Sequence, residues 1–152
     1  MEKIMIYWFT GQPGSGKTVL ADLLKEKWLT HAYRIDGDEM RALFQNKDYS
    51  IKGRIVNIDA AQKIAHYLHN QGKDVIVSLV SPYIDQREEF KKVMGFALTE
   101  IFVHYNIAEI RRGREEYHVM EFQKPNYDFI DIDTTTDTPA ISIQKILEHV
   151  QI

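Results

Sequence analysis

The chain has 152 residues, 44% apolar and 27% charged, with a net charge of −3 and no cysteine. That balance is ordinary for a globular protein and gives no electrostatic footprint for nucleic acid or an acidic membrane. The missing cysteines exclude a disulfide framework and thiolate metal or redox chemistry. One domain over 1–152 is therefore expected, in the cytoplasm, with no leader and no apolar run of membrane-spanning length.

Lys3 to Phe9 is a near-continuous apolar run, as in a strand buried on both faces of a parallel sheet. Gly11-Gln12-Pro13-Gly14-Ser15-Gly16-Lys17-Thr18 follows it and fits the phosphate-binding pattern G-x-x-x-x-G-K-[ST]. Glycines let successive backbone N–H groups turn towards one phosphate, and the next helix adds its positive end. Lys17 is placed to reach the outer phosphates, and the Thr18 hydroxyl to join the coordination of Mg²⁺. ATP and Mg²⁺ are accordingly the expected cofactors. Leu20, Leu23, Leu24 and Trp28 recur at helical spacing after the loop.

A short strand over 31–35 then ends at Asp36-Gly37-Asp38, and 39–45 reads as a helix. Residues 46–53 are polar and turn-rich, so a loop is expected there. A helix follows over 57–71, with Ile58, Ala61, Ile64, Ala65 and Leu68 on one face and Gly72 as its stop. Asp74 to Val80 is the clearest β-branched strand, broken by Ser81-Pro82-Tyr83. A charged helix over 85–94, a strand over 99–105, a helix over 107–116, a loop over 117–127 and a strand over 128–133 come next. Thr138-Pro139 supplies a cap and a first-turn proline for a closing helix, with Ile143, Ile146, Leu147 and Val150 inward.

This alternation predicts an α/β fold: a five-stranded parallel sheet with helices on both faces. Ligands of such sheets sit at the carboxyl ends of the strands, which brings 11–18, 36–38, 81–83 and 117–127 to one rim. The strand at 74–80 lacks the usual metal-associated aspartate. Asp36 and Asp38 are the nearest substitutes, one to accept a proton from an attacking hydroxyl and the other to position Mg²⁺ through water.

Four ordered motifs resemble the adenylylsulfate kinase family. They are Phe9 to Thr18; Arg34-Ile35-Asp36-Gly37-Asp38-Glu39-Met40-Arg41; Tyr49-Ser50-Ile51-Lys52-Gly53-Arg54-Ile55-Val56-Asn57-Ile58; and Val80-Ser81-Pro82-Tyr83-Ile84-Asp85-Gln86-Arg87. The resemblance implies a P-loop kinase-type three-layer fold. It also implies a phosphotransferase of sulfate assimilation, moving the γ-phosphoryl of ATP to the 3′-hydroxyl of adenosine 5′-phosphosulfate.

Carried over by position, Asp36 is the general base and Asp38 supports metal and substrate. Arg41 and Arg54 clamp the substrate's anionic group, Asn57 hydrogen-bonds its nucleotide, and Tyr49 stands where the family packs a phenylalanine beside the base. Ser81 matches the serine described in the family as a phosphoserine intermediate, a covalent step that direct in-line transfer does not need. Arg114 is assigned to the ATP adenine and Phe122 to the substrate base.

Departures from the pattern are Gly53 for an aspartate, Asp59-Ala60 for two arginines, and a shortened lid around 116–125. They leave two other readings. One is a related enzyme acting on another nucleotide, such as cytidine diphosphoramidate in capsule modification. The other is a nucleotide-binding module without catalysis. The expected partner is a small nucleotide substrate, and the sequence allows a homodimer.

Overall fold

In the computed structural model, which describes residues 3–106 and 117–152, all five expected strands enter one sheet. The strands are β1 (Ile6–Thr10), β2 (Tyr33–Asp36), β3 (Val75–Ser78), β4 (Leu98–His104) and β5 (Ile130–Asp133). Their spatial order is β2-β3-β1-β4-β5, and every neighbouring pair is parallel. The helices are α1 (Lys17–Lys27), α2 (Gly37–Phe44), α3 (Ile51–Asn70), α4 (Ile84–Met94) and α5 (Pro139–His149), with a 3₁₀ turn at Gly95–Ala97. The helix expected over 107–116 lies outside the described residues.

Successive strand side chains point to opposite faces, which divides the core in two. Tyr7 and Phe9 pack with Leu20 and Leu24 of α1 and with Ile143 and Ile146 of α5. Ile6 and Trp8 pack on the other side with Met40 of α2, Ile58, Ala61 and Ala65 of α3, and Phe90 of α4. The register sets Asp36 at the end of β2 beside Ser78 of β3, which in turn lies beside Phe9 of β1. Three strand ends thus meet where the phosphate loop begins.

The largest difference from the sequence reading is the start of α3. The helix begins at Ile51, capped by the Ser50 hydroxyl, which accepts from the Gly53 N–H. Its first turns expose Ile51, Ile55 and Val56, so the apolar periodicity that marks the rest of the helix is absent there. Gly53 has a packing reason. A Cβ there would collide with the backbone oxygen and side chain of Asp48, which folds back over the helix start. Gly53→Ala is expected to retain the fold but lose about 1–3 kcal/mol to overpacking, read as a lower melting temperature. An unchanged melt would mean that the 46–50 turn moves aside freely.

Candidate active site

The phosphate-binding loop joins the end of β1 to the start of α1. Gly11 sits at φ +154°, and a Cβ there would strike the Val103 carbonyl of β4, so only glycine allows this approach. Gly16 caps α1 at φ +110°. Thr134, just past β5, donates its hydroxyl to the Ser15 carbonyl at 2.6 Å and steadies the loop from the far side. Lys17 is only 8% exposed, and its Nζ donates to the Gln12 carbonyl at 2.9 Å.

Asp36 ends β2 and caps α2, accepting from the Asp38 N–H at 3.2 Å. Its Oδ1 also accepts from Ser78 Oγ at 2.8 Å and from Thr18 Oγ1 at 3.3 Å. Ser78 accepts from Arg34 Nη2 at 2.7 Å, which turns the serine proton towards the carboxylate. The Asp36 carboxylate is therefore fixed in direction beside the phosphate loop. Thr18 and Asp36 together offer hard oxygen donors of the kind Mg²⁺ takes. No cluster of three or more His, Cys, Asp or Glu suited to a metal occurs among the described residues.

A cavity of about 410 Å³ runs from this loop to α2 and α3. Lys17, Thr18, Asp36 and Asp38 line one end, and Arg41, Tyr49, Arg54, Asn57 and Tyr117 the other. Arg41 lies 3.9 Å over the Tyr49 ring and donates to the Asp48 carbonyl, while Arg54 is 5.8 Å from the same ring. Burial lowers the Arg41 guanidinium from its usual pKa, opposed by Tyr49 and reinforced by the like charge of Arg54. Two guanidiniums flanking one ring in a half-buried pocket make a site for an anion. Asn57 is 5% exposed, and its Oδ1 is buried with no hydrogen-bond partner among the described residues. A ligand N–H would satisfy it.

A sequence model of the adenylylsulphate kinase family matches residues 3–124. This chain belongs to that family. The adenylyl-sulfate kinase of Buchnera aphidicola subsp. Acyrthosiphon pisum is 31% identical over 144 residues, spanning 90% of this chain and 69% of that one. The structure of Mycobacterium tuberculosis APS kinase CysC in complex with AMPPNP and APS superposes with a TM-score of 0.84 at 24% identity, over 97% of this chain and 98% of that one. A gluconokinase from Sinorhizobium meliloti shares the fold, with a TM-score of 0.71 at 15% identity over 97% of this chain and 92% of that one.

Among the expected acceptor residues, the structure places one away from the cavity. Phe122 does not line the cavity. It stacks on Phe102, 5.8 Å between ring centroids, with the Arg87 guanidinium 5.5 Å from its ring. The aromatic facing the cavity from this segment is Tyr117, whose ring lies 5.0 Å from that of Tyr49. Ser81 is 1% exposed at φ +45°, and its Oγ accepts from Trp8 Nε1 at 3.0 Å. It also lines the cavity, with one side of its oxygen engaged by the indole. Asp59 pairs with Lys63 at 2.8 Å, and neither Asp59 nor Ala60 lines the cavity. Of the two altered segments only 117–127 reaches the cavity. Arg114 lies outside the described residues.

The sequence reading missed Ser78, Thr134 and Tyr117. A serine ending the strand beside Asp36 was the available signal for the first. The other two depend on chain crossings that no local pattern announces.

Proposed function

We propose that residues 1–152 act as one cytoplasmic kinase unit that transfers the γ-phosphoryl of ATP to the 3′-hydroxyl of adenosine 5′-phosphosulfate. The observation that carries this reading is the single cavity in which the phosphate loop and Asp36 face Arg41, Arg54 and Asn57. Donor and acceptor nucleotides then meet end to end, as in-line transfer requires.

The backbone N–H groups of 11–16 and Lys17 hold the outer phosphates of ATP. Asp36 takes the proton of the ribose hydroxyl as it attacks, and its fixed hydrogen bonds keep the receiving oxygen in place. Arg41 and Arg54 bind the acceptor's phosphosulfate, and Tyr49 and Tyr117 offer ring faces to its base. Mg²⁺, held beside Thr18 and Asp36, would offset the negative charge of the phosphates. No helix among the described residues is long and apolar enough to cross a membrane.

Incubation with ATP, Mg²⁺ and adenosine 5′-phosphosulfate should yield the 3′-phosphorylated product. In a panel of acceptor nucleotides this one should have the highest kcat/KM, and a better rate with a cytidine nucleotide would reassign the acceptor. Arg41→Met should raise the acceptor KM by about 10- to 100-fold, the worth of a charge-assisted contact, with a smaller change in kcat. An unchanged KM would move the anion site away from Arg41.

A further inference from the structure

Residues 117–123 are tied to the rest of the protein at two points. At one, Gln12 of the phosphate loop uses both ends of its carboxamide. Its Nε2 donates to the Val119 carbonyl at 2.5 Å, and its Oε1 accepts from the Val119 N–H at 2.9 Å. At the other, the Gln123 N–H donates to the Pro82 carbonyl at 2.9 Å, and its side-chain Oε1 accepts from the Ile84 N–H at 2.8 Å. Arg87 adds a hydrogen bond to the Gln123 carbonyl. Tyr117, two residues before the first tie, lines the cavity against Tyr49.

The Gln12 pairing is chemically selective. Val119 presents its own N–H and C=O, from two successive peptide units, to the same side, and an uncharged carboxamide carries a separate acceptor and donor to meet both. Asparagine has the same groups on a stem shorter by one methylene. An apolar residue at position 12 would leave the Val119 N–H and C=O without these partners. The phosphate-loop pattern accepts any residue type at this position, so phosphate binding does not explain a glutamine.

We propose that Gln12 is a positioning residue for the acceptor: its carboxamide latches 117–123 to the phosphate loop and so holds Tyr117 as a wall of the acceptor pocket. The inference rests on the acceptor reading given above. Through this latch the loop that binds the donor phosphates also sets the shape of the acceptor site. The side chain does so without touching the reacting atoms.

The variants Gln12→Leu and Gln12→Asn answer the question, each checked for folding by its melting curve. Amide exchange at Val119, followed by NMR, should be at least about tenfold faster in both variants, because the N–H loses its acceptor. The acceptor KM should rise about tenfold, a larger factor than any change in kcat or in the Kd for an ATP analogue. Val119 exchange equal to the parent's would overturn the latch. Faster exchange with an unchanged acceptor KM would overturn its positioning role. If the parent turns over no adenosine 5′-phosphosulfate, the acceptor reading fails by itself. The KM comparison then uses the nucleotide the parent does phosphorylate, and the Val119 exchange is read as before.

Discussion

Asp36→Asn should lower kcat by about a thousandfold, within the usual range for removing a positioned general base. Asparagine is the replacement that isolates the chemistry. It caps a helix about as well as aspartate, so α2 should keep its start. With its one side-chain oxygen turned to the Asp38 N–H, its amide NH₂ faces Ser78 and Thr18, and those two hydroxyls lose the Oδ1 acceptor. What it lacks is a site of suitable basicity for the ribose proton. The measurement is steady-state kcat together with the Kd for ATP and the melting temperature. A kcat equal to the parent's would remove Asp36 from the base role and make Asp38 the next residue to substitute. A parent that binds ATP yet shows no transfer to any nucleotide would instead support the binding-module reading.

The largest stability effect is expected at Arg87, which is 4% exposed. Its Nε lies 3.1 Å from Glu100 Oε2, and Glu100 itself is 2% exposed. Its Nη1 also donates to the Ser81 carbonyl at 2.6 Å. Burial lowers the Arg87 pKa from its usual value, and the charges of Glu100 and Glu88 oppose that shift. Removing one member of such a pair strands the other charge, which typically costs about 3–5 kcal/mol. Lys91, 2.9 Å from Glu100 Oε1, relieves part of that cost. Arg87→Met is therefore expected near the lower figure, with a melting temperature lower by roughly 10 °C. Adding Glu100→Leu should recover much of the loss, because the stranded carboxylate is gone. A single variant that melts with the parent would mean that Lys91 alone neutralises Glu100.

The strands and the phosphate loop were legible in the sequence because their signals are local. Apolar runs buried on both faces read as parallel strands, and the glycine spacing of 11–18 reads as a phosphate cradle wherever it falls between strand and helix. The start of α3 was not legible, because Ile51, Ile55 and Val56 face outward and the preceding residues are polar. Ser50 carried the cap signal that an amphipathic search passes over. Tyr117 and Phe122 could not be told apart from sequence. Both are aromatic, lie five residues apart and belong to a segment without a period. Ties to partners far away in the chain, at Gln12 and Gln123 and in the stacking of Phe122 on Phe102, decide which ring meets the cavity.

The two-sided core has one further consequence. The helix that follows the phosphate loop is seated on the Phe9 face of the sheet, whereas Arg41, Arg54 and Asn57 are carried by helices seated on the Trp8 face. Substitutions that repack the second face can tilt α2 or α3 and change which molecule is accepted, with the seat of the donor loop left intact. The proposed acceptor residues on α2 and α3 thus have a seat apart from that of the donor loop, and the Gln12–Val119 tie is where the two sides meet.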